Sequence, residues 1–478
     1  MEKVISKGTF LVYGMLFVLV FYFGAEYHMS VAITAGLAIA VFLVFLIWAQ
    51  KRWGYFEFLL SSKKVLITII CIGCIARLTL LLFEYREVTS DESTYFNNAI
   101  VFSTGAELNR RYLAVFPYLF SYIALLGSVM KILGTSIYVA IILNIALDII
   151  GAGAAFFFGL KLFGEYKMGR LLLYIWLLNP FQVVWCMRAM PIIVVNTVLM
   201  LCLCIWSCMI QKISLKRYIV LSVILSIFIG IGNVFRPIFV ILLIAIFLYY
   251  IYILIFQKNS RMKCSVYIVS FCILCLGFAA CNKVYQFAVS SVVEYNVPEN
   301  AGGWSMYVGS NTETQGMWFA DDNLTEMFNV PEDEFDPQGI HEFFKEKAIV
   351  NYKSYDFATI VELWKNKLAI LTKNVYAYSW ECFTWQTLNS PYIYNIFLKF
   401  WIWAFWFFLV VVSILSLWLL KGKYSLKGMF PIFLLEIGLI ISHIFVEVSP
   451  RYFLPALVPL MINTGYLLYS ILKREGSV

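Results

Sequence analysis

The sequence predicts an all-α polytopic membrane protein of about 11–13 transmembrane helices with a small mixed extracytoplasmic loop domain. Three observations predict it. Of the 478 residues, 62% are hydrophobic and only 13% charged, where a soluble chain carries roughly 25% charged residues. The apolar residues come in blocks with no charge or almost none, such as 65–83, 219–232, 238–256, 265–281, 396–420 and 452–472. A run of about 20 apolar residues crosses a ~30 Å hydrocarbon core as a helix, and lipid leaves no partner for an unpaired backbone group. The blocks do not alternate in polarity, which selects helices over a barrel. Finally, the charges sort by the side on which each link must lie.

The elements follow in order. Residues 9–25 come after Lys3 and Lys7, as a signal peptide would, but no small-residue cleavage site stands near Glu26-Tyr27-His28. A second apolar block, 31–49, follows directly, so the stretch reads as a retained first span. The short links carry Lys51, Arg52, Lys63 and Lys64, then Lys161, Lys167 and Arg170, then Lys212, Lys216 and Arg217. Later links carry Lys258, Arg261 and Lys263, then Lys421, Lys423 and Lys427, and the tail carries Lys473 and Arg474. The positive-inside bias assigns all of these to the cytoplasm, so the net charge of +8 calls for no nucleic acid. The opposite side receives 84–112, the turns at 179–188 and 233–236, the segment 282–394, and 447–451.

Segment 282–394 holds fifteen acids against seven bases, so it is acidic where the rest of the chain is basic. It is rich in Trp, Tyr and Gly, a composition expected of a folded domain, with a surface helix expected over 361–378. The organisation is thus an N-terminal transmembrane module, 1–281, with its external loop 84–112; an extracytoplasmic domain, 282–394; and C-terminal helices with a cytoplasmic tail, 395–478. One inconsistency remains. Between the two external regions lie about seven apolar segments, where an even number is required for both to share a side. The candidates for a segment that does not cross are 113–133, 171–184 and 190–210. Ten of the eleven cysteines lie in apolar stretches, Cys382 excepted, so neither a disulfide framework nor a zinc site is expected.

The stretch that carries chemistry follows the block 65–83. Asp91 and Glu92 stand just beyond its end, with Tyr95, Asn97 and Asn98 after them. A carboxylate at the mouth of a helical bundle can act as general base toward a hydroxyl or amine that attacks an activated sugar carbon. The plainer alternative is a solvated acidic cap, or a surface partner for Arg86.

Ser90-Asp91-Glu92 with Tyr95 and Ala99, after a span and before a Phe116-Pro117 start, resembles the first external loop of GT-C-type glycosyltransferases. That superfamily includes protein O-mannosyltransferases and aminoarabinose transferases. Asn179-Pro180, Asn233 through Arg236-Pro237, and His443 through Glu447 to Pro450-Arg451-Tyr452, followed by Pro455 and Pro459, extend the likeness. The resemblance implies a GT-C-like fold in which Asp91 is the catalytic base and Glu92 a helper that positions the acceptor or the loop. The donor would be an undecaprenyl-phosphate-linked sugar, and the acceptor a cell-envelope glycan, lipid or protein. Arg236, Arg451 and Arg188 are the candidates for holding the lipid phosphate, since a guanidinium suits bidentate contact; a snorkelling helix-end role is the alternative for each. Tyr95 and Glu447 are candidate substrate contacts, as are Asn311 and Trp318 from the external domain, whose ring and amide suit a sugar.

Many members of the superfamily carry a second acid after the Asn-Pro turn. Here 185–191 holds none, and the three histidines, His28, His341 and His443, are dispersed. A metal-independent enzyme is therefore expected. His443 and Glu447, four apart, are expected on one helix face. The implied activity is inverting glycosyl transfer at the outer face of the cell membrane. A polysaccharide polymerase or ligase and a lipid-linked-sugar flippase are the alternatives. A transporter tends to show repeated halves with polar groups near the midplane. Here the intramembrane acids Asp148 and Glu436 recur in no matching segment, and the polar chemistry is one-sided.

Overall fold

In the computed structural model, the described residues are 53–82, 84–85, 88, 90–211, 213–256, 264–383, 388–389, 397–398, 401–402, 404–406, 408–414 and 428–475. The expected spans at 9–25 and 31–49 lie outside them, as does Arg86. Helix α1 (Trp53–Ser61) turns into α2 (Lys63–Leu78) at Ser62, whose hydroxyl accepts the Val65 N–H and caps the new helix. A 3-10 turn, Thr79–Leu82, extends α2 to the two-residue strand β1 (Glu84–Tyr85). Then come α3 (Ser90–Thr104), the short α4 (Arg110–Val115) and α5 (Tyr118–Leu133).

The apolar bundle follows. Helix α6 (Ile137–Phe163) starts at the Ser136 cap and stops at Gly164, whose φ of +72° gives the left-handed ending that glycine supplies at least cost. It packs against α7 (Tyr166–Leu177) at a seam of small residues. A Cβ on Gly159 would lie 2.8 Å from the Gly169 Cα, so the two backbones are in contact there. Such close approach adds dispersion contacts where lipid provides no hydrophobic drive. Asn179 and Pro180 then break the span and restart it as α8 (Pro180–Trp185), the Asn179 side chain accepting the Phe181 N–H. Helices α9 (Ile192–Met209), α10 (Leu215–Phe235), α11 (Phe239–Phe256) and α12 (Cys264–Val293) complete this part of the bundle.

Among the described residues six helical stretches are long and apolar enough to cross a membrane: Lys63–Leu82, Ile137–Phe163, Ile192–Met209, Leu215–Phe235, Cys264–Val293 and Pro450–Ser470. The shorter apolar helices are Tyr118–Leu133, Phe239–Ile255, Ala404–Ile414 and Phe430–Ser442. These elements resolve the odd count. Helix α6 is 27 residues long, about 40 Å, and ends at the Lys161 link. Its start therefore lies on the opposite side, and α5 leads into it through the three-residue turn 134–136. The start of α5 is on that same side, because the Tyr285 hydroxyl near the far end of α12 donates to the Pro117 carbonyl at 2.7 Å. Helix α5 thus begins and ends on one side and packs on α3, where a Cβ on Gly127 would lie 2.7 Å from Phe102. A stretch 113–133 that does not cross would leave an even number of crossings between the two loops.

Helix α12 runs unbroken past residue 282 to Val293, so the acidic segment's own structure starts at Glu294. Its expected mixed character is replaced by helices, α13 (Gly303–Ser310), α14 (Asp322–Phe328), α15 (Pro337–Ser354) and α16 (Phe357–Phe383). Two of these are specified by caps: Asp321 accepts from the Asn323 and Leu324 N–H groups, and Asp336 precedes Pro337 and accepts from the Gln338 N–H. The exception is β2 (Leu388–Asn389), which pairs antiparallel with β1 and ties the segment back to the first loop. Trp304, Tyr307 and Phe344 form an aromatic core, with Trp304 and Phe344 edge-on at 4.7 Å. His341 joins this core to the first loop: Nδ1 accepts the Trp304 N–H, which leaves Nε2 to donate to the Val115 carbonyl at 2.8 Å. Helix α17 (Phe430–Ser442), the 3-10 turn Pro450–Ala456 and α18 (Leu457–Glu475) close the chain.

Candidate functional site

Helix α3 opens at Ser90, whose φ of +57° places a non-glycine residue in the left-handed region immediately before the acidic pair. Such strain persists only where the surroundings enforce it. Asp91 and Glu92 both lie in the first turn, where the helix dipole favours negative charge. Adjacent helical residues point about 100° apart, and the two carboxylates have different fates.

Glu92 is 1% exposed. One oxygen accepts the Ala189 N–H at 2.7 Å, and the other meets the Arg188 guanidinium at 2.8 Å. The Arg188 carbonyl in turn accepts from Asn144 at 2.7 Å, and the Asn144 oxygen accepts from the Tyr122 hydroxyl at 3.3 Å. Glu92 and Arg188 therefore fasten α3 to the turn between α8 and α9. Glu92→Ala is expected to cost about 1.5–3 kcal/mol of stability, the range for hydrogen bonds to a charged group, measured by thermal unfolding in nanodiscs.

Asp91 is 49% exposed and forms an ion pair with Arg451, whose side chain is 20% exposed. The Arg451 guanidinium lies 5.5 Å from the Tyr452 ring centre, and that of Arg236 lies over the same ring at 4.4 Å. Tyr452 also stacks on His443 at 5.5 Å, and its hydroxyl donates to Glu447 at 3.0 Å. Burial raises the Glu447 pKa above the ordinary carboxylate value; Arg451 and the Tyr452 hydroxyl oppose the rise, and Asp91 adds to it. Tyr95 is buried edge-on to Tyr122 at 5.6 Å. Burial holds its phenol well above the usual range, opposed by Arg451 and reinforced by Asp91. The Tyr112 phenol is pushed up to about 12, first by burial and then by Asp91 and Glu447. Both rings stay neutral at pH 7 and offer O–H groups beside the charged cluster.

The segment 443–449 presents Glu447 to this cluster. Helix α17 ends at Ser442, with His443 as its C-cap, so His443 and Glu447 do not share a helix face. The reason is a competing partner: the Glu447 N–H donates to the Ser305 carbonyl at 2.6 Å, and the Val448 N–H to the Gly316 carbonyl at 2.8 Å. The acidic helical segment thus holds the extended backbone that leads into Arg451.

The fold therefore brings together Asp91, Tyr95, Arg236, Glu447 and Arg451, and sets Glu92 with Arg188 beside them as an anchor. Asn311 caps a turn, accepting the Glu313 N–H at 2.8 Å and the Thr314 N–H at 3.2 Å, and Trp318 is 64% exposed on the same acidic segment. Neither is among the residues that the fold brings to the charged cluster. Tyr112 belongs to no motif in the sequence and Tyr452 only to the Pro450-Arg451-Tyr452 run; an aromatic residue beside an arginine at the end of a span is the signal that points to each. Glu447 supplies a second acid from the far end of the chain, where 185–191 has none. Among the described residues no group of three or more His, Cys, Asp or Glu is placed to hold a metal ion.

No protein-family model and no curated protein matches this sequence. Among solved structures, the chain is similar to the oligosaccharyltransferase of Archaeoglobus fulgidus tethered with an acceptor peptide, at 11% identity and a TM-score of 0.47, over 87% of this chain and 50% of that one. This chain thus spans half the length of the archaeal protein. It is also similar to ArnT from Cupriavidus metallidurans bound to undecaprenyl phosphate, at 12% identity and a TM-score of 0.35, over 85% of this chain and 77% of that one.

Proposed function

We propose that the chain is an inverting membrane glycosyltransferase of the GT-C type, moving a sugar from an undecaprenyl-phosphate donor to a cell-envelope acceptor at the extracytoplasmic face. The observation that carries this reading is the half-exposed Asp91 carboxylate paired with Arg451, with Arg236 across the same tyrosine ring. A half-exposed carboxylate and two cations stand together at one end of the Pro450–Ser470 span; in this reading that end is the extracytoplasmic one, where a lipid-borne phosphate and a water-borne acceptor would meet.

In this reading Asp91 takes the proton of the acceptor hydroxyl or amine as that atom bonds to the anomeric carbon. The bond from the anomeric carbon to the phosphate oxygen breaks, and the lipid phosphate departs with the electron pair. Arg451 and Arg236 stabilise the charge that develops on it. An incoming phosphodiester competes with Asp91 for Arg451, so donor binding releases the carboxylate for its role as base. Tyr95 and Tyr112 offer neutral O–H groups to the sugar, and Asn311 and Trp318 are proposed as outlying contacts to the acceptor.

The test uses the full chain in proteoliposomes with an undecaprenyl-phosphate-linked sugar and a cell-envelope extract as acceptor source. Free undecaprenyl phosphate is expected to accumulate only when the extract is present. Movement of the intact lipid-linked sugar across the bilayer, with no release, would replace this reading by a flippase.

A further inference from the structure

We propose that Lys367 is a positioning residue whose ammonium group locks the external helical segment onto residues 443–449 and thereby sets Glu447 and Arg451 against Asp91. Only its activity readout rests on the glycosyltransferase reading. Lys367 lies in α16, away from the motifs that the sequence singled out, and is fully buried. Lysine is almost never fully buried unless its ammonium finds partners. Here Nζ donates to the Gly309 carbonyl at the end of α13, at 2.9 Å, and to the Ile444 carbonyl just beyond α17, at 2.8 Å. One side chain thus joins three elements.

The packing around it has no slack. Gly316, at φ +79°, closes over the lysine stem; a Cβ there would lie 2.9 Å from the Lys367 Cε. The same glycine's carbonyl receives the Val448 N–H. Gly309 faces the other way onto the segment, where a Cβ would lie 2.3 Å from the Val446 carbonyl carbon. Both glycines are required by close approach, and both border Lys367. Between Ile444 and Val448 the backbone is therefore held by the lysine and by two carbonyls of the external segment, and the next turn begins with Pro450-Arg451.

The charge matters as well as the tether. Burial pushes the Lys367 pKa down to about 7, opposed by Glu447. Glu447 is faced by Arg451 and Tyr452 from the 3-10 turn, Asp91 from α3 and Arg236 from the end of α10. Its charge also acts on Tyr112 of α4 and Tyr118 of α5, and His443 on its own segment feels Lys367. Removing the lysine charge leaves the carboxylate with one cation fewer, so its pKa rises.

The full chain in nanodiscs would be compared with the variants Lys367→Met, Lys367→Arg and Gly316→Ala. Amide hydrogen exchange at 444–448 reads the lock, and infrared difference titration, assigned with Glu447→Gln, reads the carboxyl. Lys367→Met is expected to speed exchange about tenfold and to raise the Glu447 midpoint by about half a pH unit. Gly316→Ala should likewise speed exchange, and Lys367→Arg, which keeps the charge, should hold the midpoint nearer the wild type than Lys367→Met does. Turnover by Lys367→Met should fall about 100-fold, as for a misplaced constellation. The proposal is overturned if Lys367→Met leaves either the exchange or the midpoint as in wild type. Should that variant not fold, unchanged exchange in Gly316→Ala overturns it instead. Faster exchange together with a wild-type chain that turns over no lipid-linked sugar upholds the lock and removes the glycosyltransferase reading.

Discussion

Asp91→Asn is expected to lower kcat by about 10²–10⁴-fold, the contribution of a positioned general base, while the protein folds and inserts normally. The substitution is nearly isosteric and lies at a half-exposed position, so its cost in stability should be small. Its effect on binding separates this reading from a merely structural acidic cap. On the proposed mechanism, Asp91 and a lipid phosphate compete for the Arg451 guanidinium in the wild type. Asparagine offers that cation only a neutral acceptor, so undecaprenyl phosphate should bind the variant more tightly than the wild type as turnover is lost. Binding by a fluorescent undecaprenyl phosphate analogue and turnover in the same proteoliposomes would measure both. Near-normal turnover removes Asp91 from the chemistry. Weaker binding removes the competition for Arg451.

The neighbouring carboxylate gives the internal control. Glu92 has the same charge and lies in the same helical turn, but it is buried against Arg188 and the Ala189 N–H. Its loss acts on the anchoring of α3 and therefore on stability before chemistry. Two adjacent acids of such different exposure should therefore give different phenotypes, a pattern that a solvated acidic loop would not produce.

Much of the architecture was legible because local rules and the lipid constraint agree. The apolar blocks became helices, Ser62, Ser136 and Ser214 cap them, and Asn179-Pro180 marks a break. The odd number of apolar segments was itself informative, since it required one segment not to cross and 113–133 was among the three candidates. In the external segment, composition suggested mixed structure, whereas Asp321 and Asp336-Pro337 carried helix-start signals that composition averages away. In the site, Asp91, Arg236, Glu447 and Arg451 stood out because they fall in the motifs that carry the family resemblance, beside Pro or at the ends of apolar blocks. What the sequence hid is pairing between distant elements. Whether Glu92 or Asp91 faces solvent depends on Arg188, and the burial of Lys367 depends on Gly309 and Ile444. His443 and Glu447 at helical spacing misled, because the external segment captured the backbone N–H of Glu447 and the helix ends first.

The largest loss of stability is expected from Asp148→Leu, about 3–5 kcal/mol, because it strands a charge within the bundle. Arg77 is fully buried in the Lys63–Leu82 span, and its Nε donates to Asp148 at 2.5 Å. The guanidinium is otherwise satisfied by the Gly73 carbonyl at 2.8 Å and the Leu177 carbonyl at 2.9 Å, and the second Asp148 oxygen accepts from the Trp176 indole at 2.8 Å. Helices α2, α6 and α7 thus meet at one closed network with its donors and acceptors matched. An intramembrane acid invites a transport reading, but a carboxylate committed to an arginine and an indole is placed to hold helices together. Arg77→Met combined with Asp148→Leu removes both charges and leaves the Trp176 indole its bond to the Asp148 backbone carbonyl, 3.1 Å in the wild type. The double variant should therefore recover most of the loss, giving a coupling of several kcal/mol in a double-mutant cycle of unfolding midpoints. At temperatures where it is folded, its turnover should match the wild type. A double variant that is stable but inactive would instead place this pair in the working cycle of the protein.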